Sequence, residues 1–423
     1  MSRYIVLLLF FIAYYFIIFK KDKSSVTTFL IGLMVGIFKV GNLKIENASE
    51  FIDFNTISLL VGMMIIISVL KSTGFFQFIA VKTVKISGSN IFKLLLLMNS
   101  IIFVFSALLD NVTTILLFIP LLLLISDTAD IPPNILIFTA ILSANLGGSA
   151  TLIGDPPNII IGSAAKISFL TFLKNMIIPS IIAFITVSFY FFKIMKFPGD
   201  VNQKLKNFIQ VDATTLISNY PLMIKTLIIF LGVVIGFVVH EYIDYEMSLI
   251  SLTGAALILL LSGKNFENTS KDIEWDTLFF FIGLFSLTYA LEVSGLTELI
   301  THQFLLLEIH PKFLTIIMFW AVFLFSGIVG AVPSTMIFIP IIEGLINSGM
   351  SFNLWWSLAL GAGFGSNLTP IGAASNIVSV SLLEKHTEKR LSFGKYIKIS
   401  IVPTLACGII ATVYLFIKEA LTV

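Results

Sequence analysis

The chain holds one cysteine, Cys407, among 423 residues. A disulfide framework, a cysteine zinc site and a cysteine-ligated cluster are therefore excluded. Histidine is scarce too. His240, His302, His310 and His386 fall at loops or helix ends without HExxH or comparable spacing, so no catalytic zinc is expected. Charged residues make up only 12% of the chain, against about 25% in ordinary soluble domains. The net charge of +2 gives no polyanion signal, which excludes nucleic acid as a partner. No Walker-type GxxxxGK[ST] occurs, so energy for any uphill work has to come from an ion gradient or a partner ATPase.

What fills the chain instead is apolar. Hydrophobic residues are 57% of it, about 240 side chains and far more than one globular core can hide. Tyr4–Phe19, Thr56–Leu70, Ile91–Leu109 and Ile177–Phe192 are almost uncharged over roughly the length of a bilayer crossing. The sequence predicts an all-α polytopic membrane protein whose solvent is the lipid bilayer. The first apolar run is followed by Lys20, Lys21 and Lys23 and lacks a small-residue cleavage site, so it reads as a spanning helix. Placing its C-terminal end in the cytoplasm and carrying the topology along the chain puts 19 of the 26 basic residues inside. Both termini are then outside the cell (plasma or inner) membrane.

An internal duplication is the most informative feature. Ile52-Asp53-Phe54-Asn55-Thr56 matches Ile273-Glu274-Trp275-Asp276-Thr277, and Gly74 matches Gly295, at an offset of 221. Phe105-Ser106 through Pro120 matches Phe325-Ser326 through Pro340 at 220, and Gly154 with Asn158 matches Gly372 with Asn376 at 218. The halves are residues 1–195 and 221–423, joined by a polar cytoplasmic linker, 196–220, with a turn at Pro198-Gly199-Asp200. The first half begins outside and the second begins inside. This is an inverted-topology repeat, frequent in secondary transporters.

Each half has two segments unsuited to a simple span. Residues 91–126 would be roughly 54 Å long as one helix, nearly twice the hydrocarbon thickness. Its polar centre around Asp110 predicts a re-entrant hairpin, repeated at 311–348 around Gly330–Thr335. Residues 134–165 are interrupted at Asn145–Asn158, where Pro156 and Pro157 should stop a helix, and 354–383 are interrupted at Gly363–Gly372. Two re-entrant hairpins and two broken helices are expected. Gly74–Asn90 and Gly295–His310 read as interfacial connecting helices. Non-helical backbone at membrane depth survives only when buried in protein or lining a cavity, so the four breaks should converge on one site.

Asp110 and Asp155 are the acids at the first-half breaks. A carboxylate in a spanning segment costs about 2.5–3.5 kcal/mol on insertion scales, which makes each a functional candidate. A blander reading is that they cap the helices that follow; the two are compatible. Their repeat-related positions, Gly330 and Ala373, are uncharged, so a coupling cation should be handled mainly by the first half. The predicted sodium or proton site comprises Asp110, Asn111, Thr114, Thr151, Asp155 and Asn158. Thr113, Ser149, Ser334, Thr335, Asn367, Thr369, Ser375 and Asn376 are the candidate substrate ligands, although hydroxyls and amides in membrane helices also serve as packing bonds. Glu343, one turn past Pro340, is a weaker candidate. No His/Asp/Glu or Ser/Lys constellation has a workable spacing, so an enzyme is not expected.

Ser106 through Pro120, Gly154-Asp155-Pro156-Pro157-Asn158 and Asn367 through Asn376 resemble the motifs of the ion transporter superfamily. The likeness is to its arsenite permease, NhaD-type antiporter and melanosomal P-protein branch, with a citrate-transporter-like domain. The resemblance implies an elevator-type carrier, a homodimer, with a mobile domain holding hairpins and broken helices. Related dicarboxylate carriers use Ser-Asn-Thr at hairpin tips to bind sodium and substrate; here the tips read Asp110-Asn111-Val112 and Ala331-Val332-Pro333. The expected function is gradient-driven transport of a small ion by alternating access, either sodium/proton antiport or anion or arsenite-type transport. An anion channel on the same scaffold and a dicarboxylate or citrate symporter are the alternatives.

Overall fold

The computed structural model describes residues 2–421 apart from 21, 22, 42, 89, 196, 198–200, 209–212, 264 and 265. The Pro198-Gly199-Asp200 turn lies outside the described residues, as do Lys21, Lys196 and Lys264 of the inside set. Within them the chain is helical, with no strand. Among the described residues, eight helices are long and apolar enough to cross a membrane.

The chain opens with α1 (Ser2–Phe19), α2 (Ser24–Ile37) and α3 (Phe54–Ser72), followed by the short α4 (Phe75–Ser87). The first hairpin is α5 (Ile91–Leu108) and α6 (Asn111–Ala129); the first broken helix is α7 (Pro133–Gly148) and α8 (Pro156–Ala164). After α9 (Phe169–Ile194) the linker contains a short helix, α10 (Val201–Phe208). It packs on the first hairpin, where Asn202 accepts from the Ile91 amide at 3.2 Å and Lys204 pairs with Asp130 at 3.4 Å.

The pattern then recurs. α11 (Tyr220–Ile243), α12 (Met247–Ser262), the five-residue α13 (Phe266–Ser270) and α14 (Trp275–Val293) lead to α15 (Leu296–Leu306). The second hairpin is α16 (Pro311–Val329) and α17 (Ala331–Asn347). The second broken helix is α18 (Leu354–Gly365) and α19 (Ala374–Thr387), and α20 (Phe393–Leu421) ends the described chain. α4 and α15 stand where the connecting helices were expected, though His302 lies in the middle of α15 rather than at an end. α6 and α19 run a few residues beyond the sequence-based bounds, each stopped by an acidic residue in the left-handed region, Asp130 (φ +56°) and Glu388 (φ +53°).

Two packing layers follow from small residues. α2 crosses α14 at Gly32 and Gly283, and α3 crosses α12 at Gly62 and Ser251, where backbones touch because no Cβ intervenes. In the other layer each hairpin packs on its broken helix. Gly147 lies against the Phe103 carbonyl and Gly365 against the Phe323 carbonyl. Ser106 Oγ donates to the Ala144 carbonyl at 2.6 Å, and Ser326 Oγ to the Ala362 carbonyl at 2.7 Å. α7 and α18 are apolar all round and buried along almost their whole length, as helices at the centre of a large bundle must be. Leu8, Phe11 and Tyr15 on α1, and Ile228, Leu231 and Ile235 on α11, face outward. A lipid solvent accepts such a surface where water does not.

Candidate functional site

The first hairpin turns on Leu109 and Asp110, both extended. The Asp110 carboxylate accepts from the Thr113 amide at 2.7 Å, and the Thr113 hydroxyl adds to it. Thr114 Oγ1 donates to the Asp110 carbonyl at 2.9 Å. Asp110 is thus an N-cap for α6. The second hairpin turns on Gly330 alone, at φ +106° and ψ 156°, a conformation open essentially only to glycine. That geometry is why no acid stands there. The tip is held from outside, by Ala331 N–H donating to the Gly372 carbonyl at 3.0 Å and by Tyr14 of α1 donating to the Pro333 carbonyl at 2.8 Å.

Asp155 occupies the N-cap position of α8 but does not cap it. Pro156 and Pro157 have no N–H to give, and the Asn158 amide bonds the Asp155 carbonyl at 2.9 Å. The capping reading of Asp155 is overturned for that reason. Its carboxylate is buried, and among the described residues no hydrogen-bond donor reaches it. It does feel the charge of Asp110. A cavity of about 20 Å³ lies beside Asp110, lined by Leu60, Met63, Met64, Ile67, Ile153 and Ile159, room for one water or one bare ion.

The breaks leave carbonyls that need donors. Asn158 gives its amide hydrogens to the carbonyls of Gly148 at 3.0 Å and Thr151 at 2.8 Å. Asn376 does the same for Ser366 at 2.8 Å and Thr369 at 3.0 Å. Thr151 Oγ1 donates to the Ala107 carbonyl and accepts from Gly154 N–H at 3.1 Å; Thr369 Oγ1 donates to the Gly327 carbonyl at 2.5 Å. Ser149 donates to the Asn145 carbonyl and Ser334 to the Gly330 carbonyl, both at 2.7 Å. These hydroxyls hold the breaks in shape. Thr335 Oγ1, in the first turn of α17, is buried with no hydrogen-bond partner among the described residues.

One residue joins the parts; the sequence placed it at the edge of the broken segment but gave it no role. Asn145, inside apolar α7, donates to Asn367 Oδ1 at 2.9 Å and Asn376 Oδ1 at 2.8 Å. Its own Oδ1 accepts from Ser375 Oγ at 2.7 Å and Asn111 Nδ2 at 3.3 Å. Four of the expected residues, Asn111, Asn367, Ser375 and Asn376, are therefore brought together around it, from the first hairpin and the second broken helix. The available signal was its repeat partner, Gly363, which has no side chain at all. Glu274 was also missed. It lies just before α14, where burial and then the charge of Asp110 push its carboxyl up to about 7, opposed by the Thr277 hydroxyl donating at 3.0 Å. Glu343 feels Glu292, and no hydrogen bond ties it to the Asn145 cluster among the described residues.

Comparison with known proteins gives the family. The citrate transporter family CitMHS matches residues 14–361. The chain belongs to that family. An uncharacterized transporter of Mycobacterium tuberculosis is 31% identical over 94% of this CitMHS chain and 94% of its own. The 46 kDa membrane protein of Mycobacterium leprae is 32% identical over 87% of each. The P protein of Homo sapiens is 27% identical over 81% of this chain, which spans about half (51%) of that longer protein. Among solved structures, the YdaH transporter of Alcanivorax borkumensis superposes with a TM-score of 0.61, covering 92% of this chain and 89% of its own at 15% identity, a likeness of fold. The family and its relatives make this CitMHS protein a membrane transporter of the ion transporter superfamily.

Proposed function

We propose that this protein is a secondary active transporter of the plasma or inner membrane that couples a small ion to sodium or protons by alternating access. Asp155 is the observation that carries the reading: a buried carboxylate without a donor, in the field of a second carboxylate, at a helix break. Left alone it is costly; a bound cation or proton neutralises it. Asn111 and Asn158 have Oδ1 atoms that no described donor reaches, and they complete the cation side with Asp110. Thr114 and Thr151 act there by fixing backbone. No Lys or Arg occurs between residues 94 and 165 or between 313 and 384, so the hairpin tips and helix breaks themselves offer no positive side chain to an anion. That favours sodium/proton exchange, with the two cations competing for the carboxylates.

Cation-accompanied anion transport is the second reading, favoured by the family match and by the Thr335 hydroxyl, buried and partnerless. Thr113, Ser149, Ser334, Thr335, Asn367, Thr369, Ser375 and Asn376 would then line the substrate side. The halves 1–195 and 221–423, an elevator movement, a homodimer and termini outside belong to the same proposal. A proteoliposome flux panel covering sodium/proton exchange, arsenite, sulfate, citrate and dicarboxylates tests it. Saturable, counter-ion-dependent flux of one of these supports the carrier. Large unitary currents without counter-ion dependence would make it a channel.

A further inference from the structure

We propose that the side-chain amide of Asn145 takes, in the second half, the place a metal cation takes in the first, so that each chain binds one coupling cation. The inference rests on the cation reading of Asp155 given above. Asn158 and Asn376 are oriented alike, because each spends both amide hydrogens on two break carbonyls. Each is left with Oδ1 as its acceptor, an assignment fixed by the carbonyls and not by choice.

The two oxygens meet different fates. Asn376 Oδ1 accepts from Asn145 Nδ2, and so does Asn367 Oδ1. Two oxygens converging on one electropositive centre is what a small cation would draw together; here a tethered neutral amide does it. Charge agrees, since Gly330 and Ala373 supply no carboxylate to balance an ion there. In the first half no described donor reaches Asn158 Oδ1. The mirror image of Asn145 is Gly363, and a Cβ built on it would collide with Ser149 Oγ, itself the counterpart of Asn367. No side chain from α18 can fill the first-half position as Asn145 fills the second, and the two carboxylates stand on that side.

The experiment counts ²²Na⁺ bound per purified full-length chain. Wild type is expected to bind one, and Asp155→Asn none. Asn145→Asp, which turns the amide nitrogen into a carboxylate oxygen facing Asn367 and Asn376, is expected to bind two; Asn145→Ser, which withdraws the amide, is expected to do the same. Two sodium ions per wild-type chain, or one remaining in Asp155→Asn, would overturn the proposal whatever the Asn145 variants do. A folded Asn145→Asp that still binds one would also overturn it. A wild type that binds none removes the sodium reading itself and this inference with it.

Discussion

Asn158 and Asn376, 218 residues apart, close their helix breaks with the same two hydrogen bonds, each amide bridging the carbonyl that ends one half-helix and a carbonyl three residues on. Backbone that leaves a helix inside a membrane has no water to turn to, so these side chains replace the missing helical donors.

Replacing either amide by alanine should therefore be costly. Asn158→Ala and Asn376→Ala each strand two buried carbonyls and are expected to destabilise by about 2–4 kcal/mol. Thermal melts of the purified protein in detergent check this, and similar losses at both positions are expected.

The two acids should separate in the same assay. Asp110→Ala removes a cap bond to Thr113 and is expected to cost about 1 kcal/mol. Asp155→Asn removes no hydrogen bond and is expected to leave the melting temperature unchanged or raised.

Gly147→Ala and Gly365→Ala would push a Cβ into the carbonyls of Phe103 and Phe323. Overpacking of this kind typically costs about 1–3 kcal/mol. Both variants should lower the melting temperature, whereas Gly232→Ala, on the open face of α11, should not.

The hairpins and breaks were legible because they violate simple rules: an apolar run too long for one crossing, a polar centre, prolines where a helix should continue. The repeat offsets carried the same information twice, down to Pro120 and Pro340 inside α6 and α17. The role of Asn145 was not legible. A lone amide in an apolar helix looks like a packing residue, and only tertiary structure brings it to partners more than 200 residues away. The Tyr14–Pro333 bond is hidden for the same reason. Asp155 was half legible: Pro156 and Pro157 remove two of the amides a cap could accept from, but only the structure shows that the third, Asn158 N–H, goes to the Asp155 carbonyl.

Glu274 gives a pH dependence. Its carboxyl is raised to about 7 from 4.5, so the folded protein keeps the proton to a higher pH than the unfolded chain. Stability is therefore expected to fall as pH rises from about 4.5 to 7, the charged form being penalised above that. Glu274→Gln should flatten this part of the melting-temperature profile; an unchanged slope would show that the group does not titrate there.

Concentrative uptake by Asp155→Asn beside wild type, in proteoliposomes under an imposed sodium or proton gradient, is the decisive comparison. Wild type should accumulate the ion found in the flux panel above equilibrium, while the variant, folded and as stable, should at most equilibrate it. A variant that concentrates the ion as well as wild type would remove Asp155 from the coupling site and contradict the reading built on it.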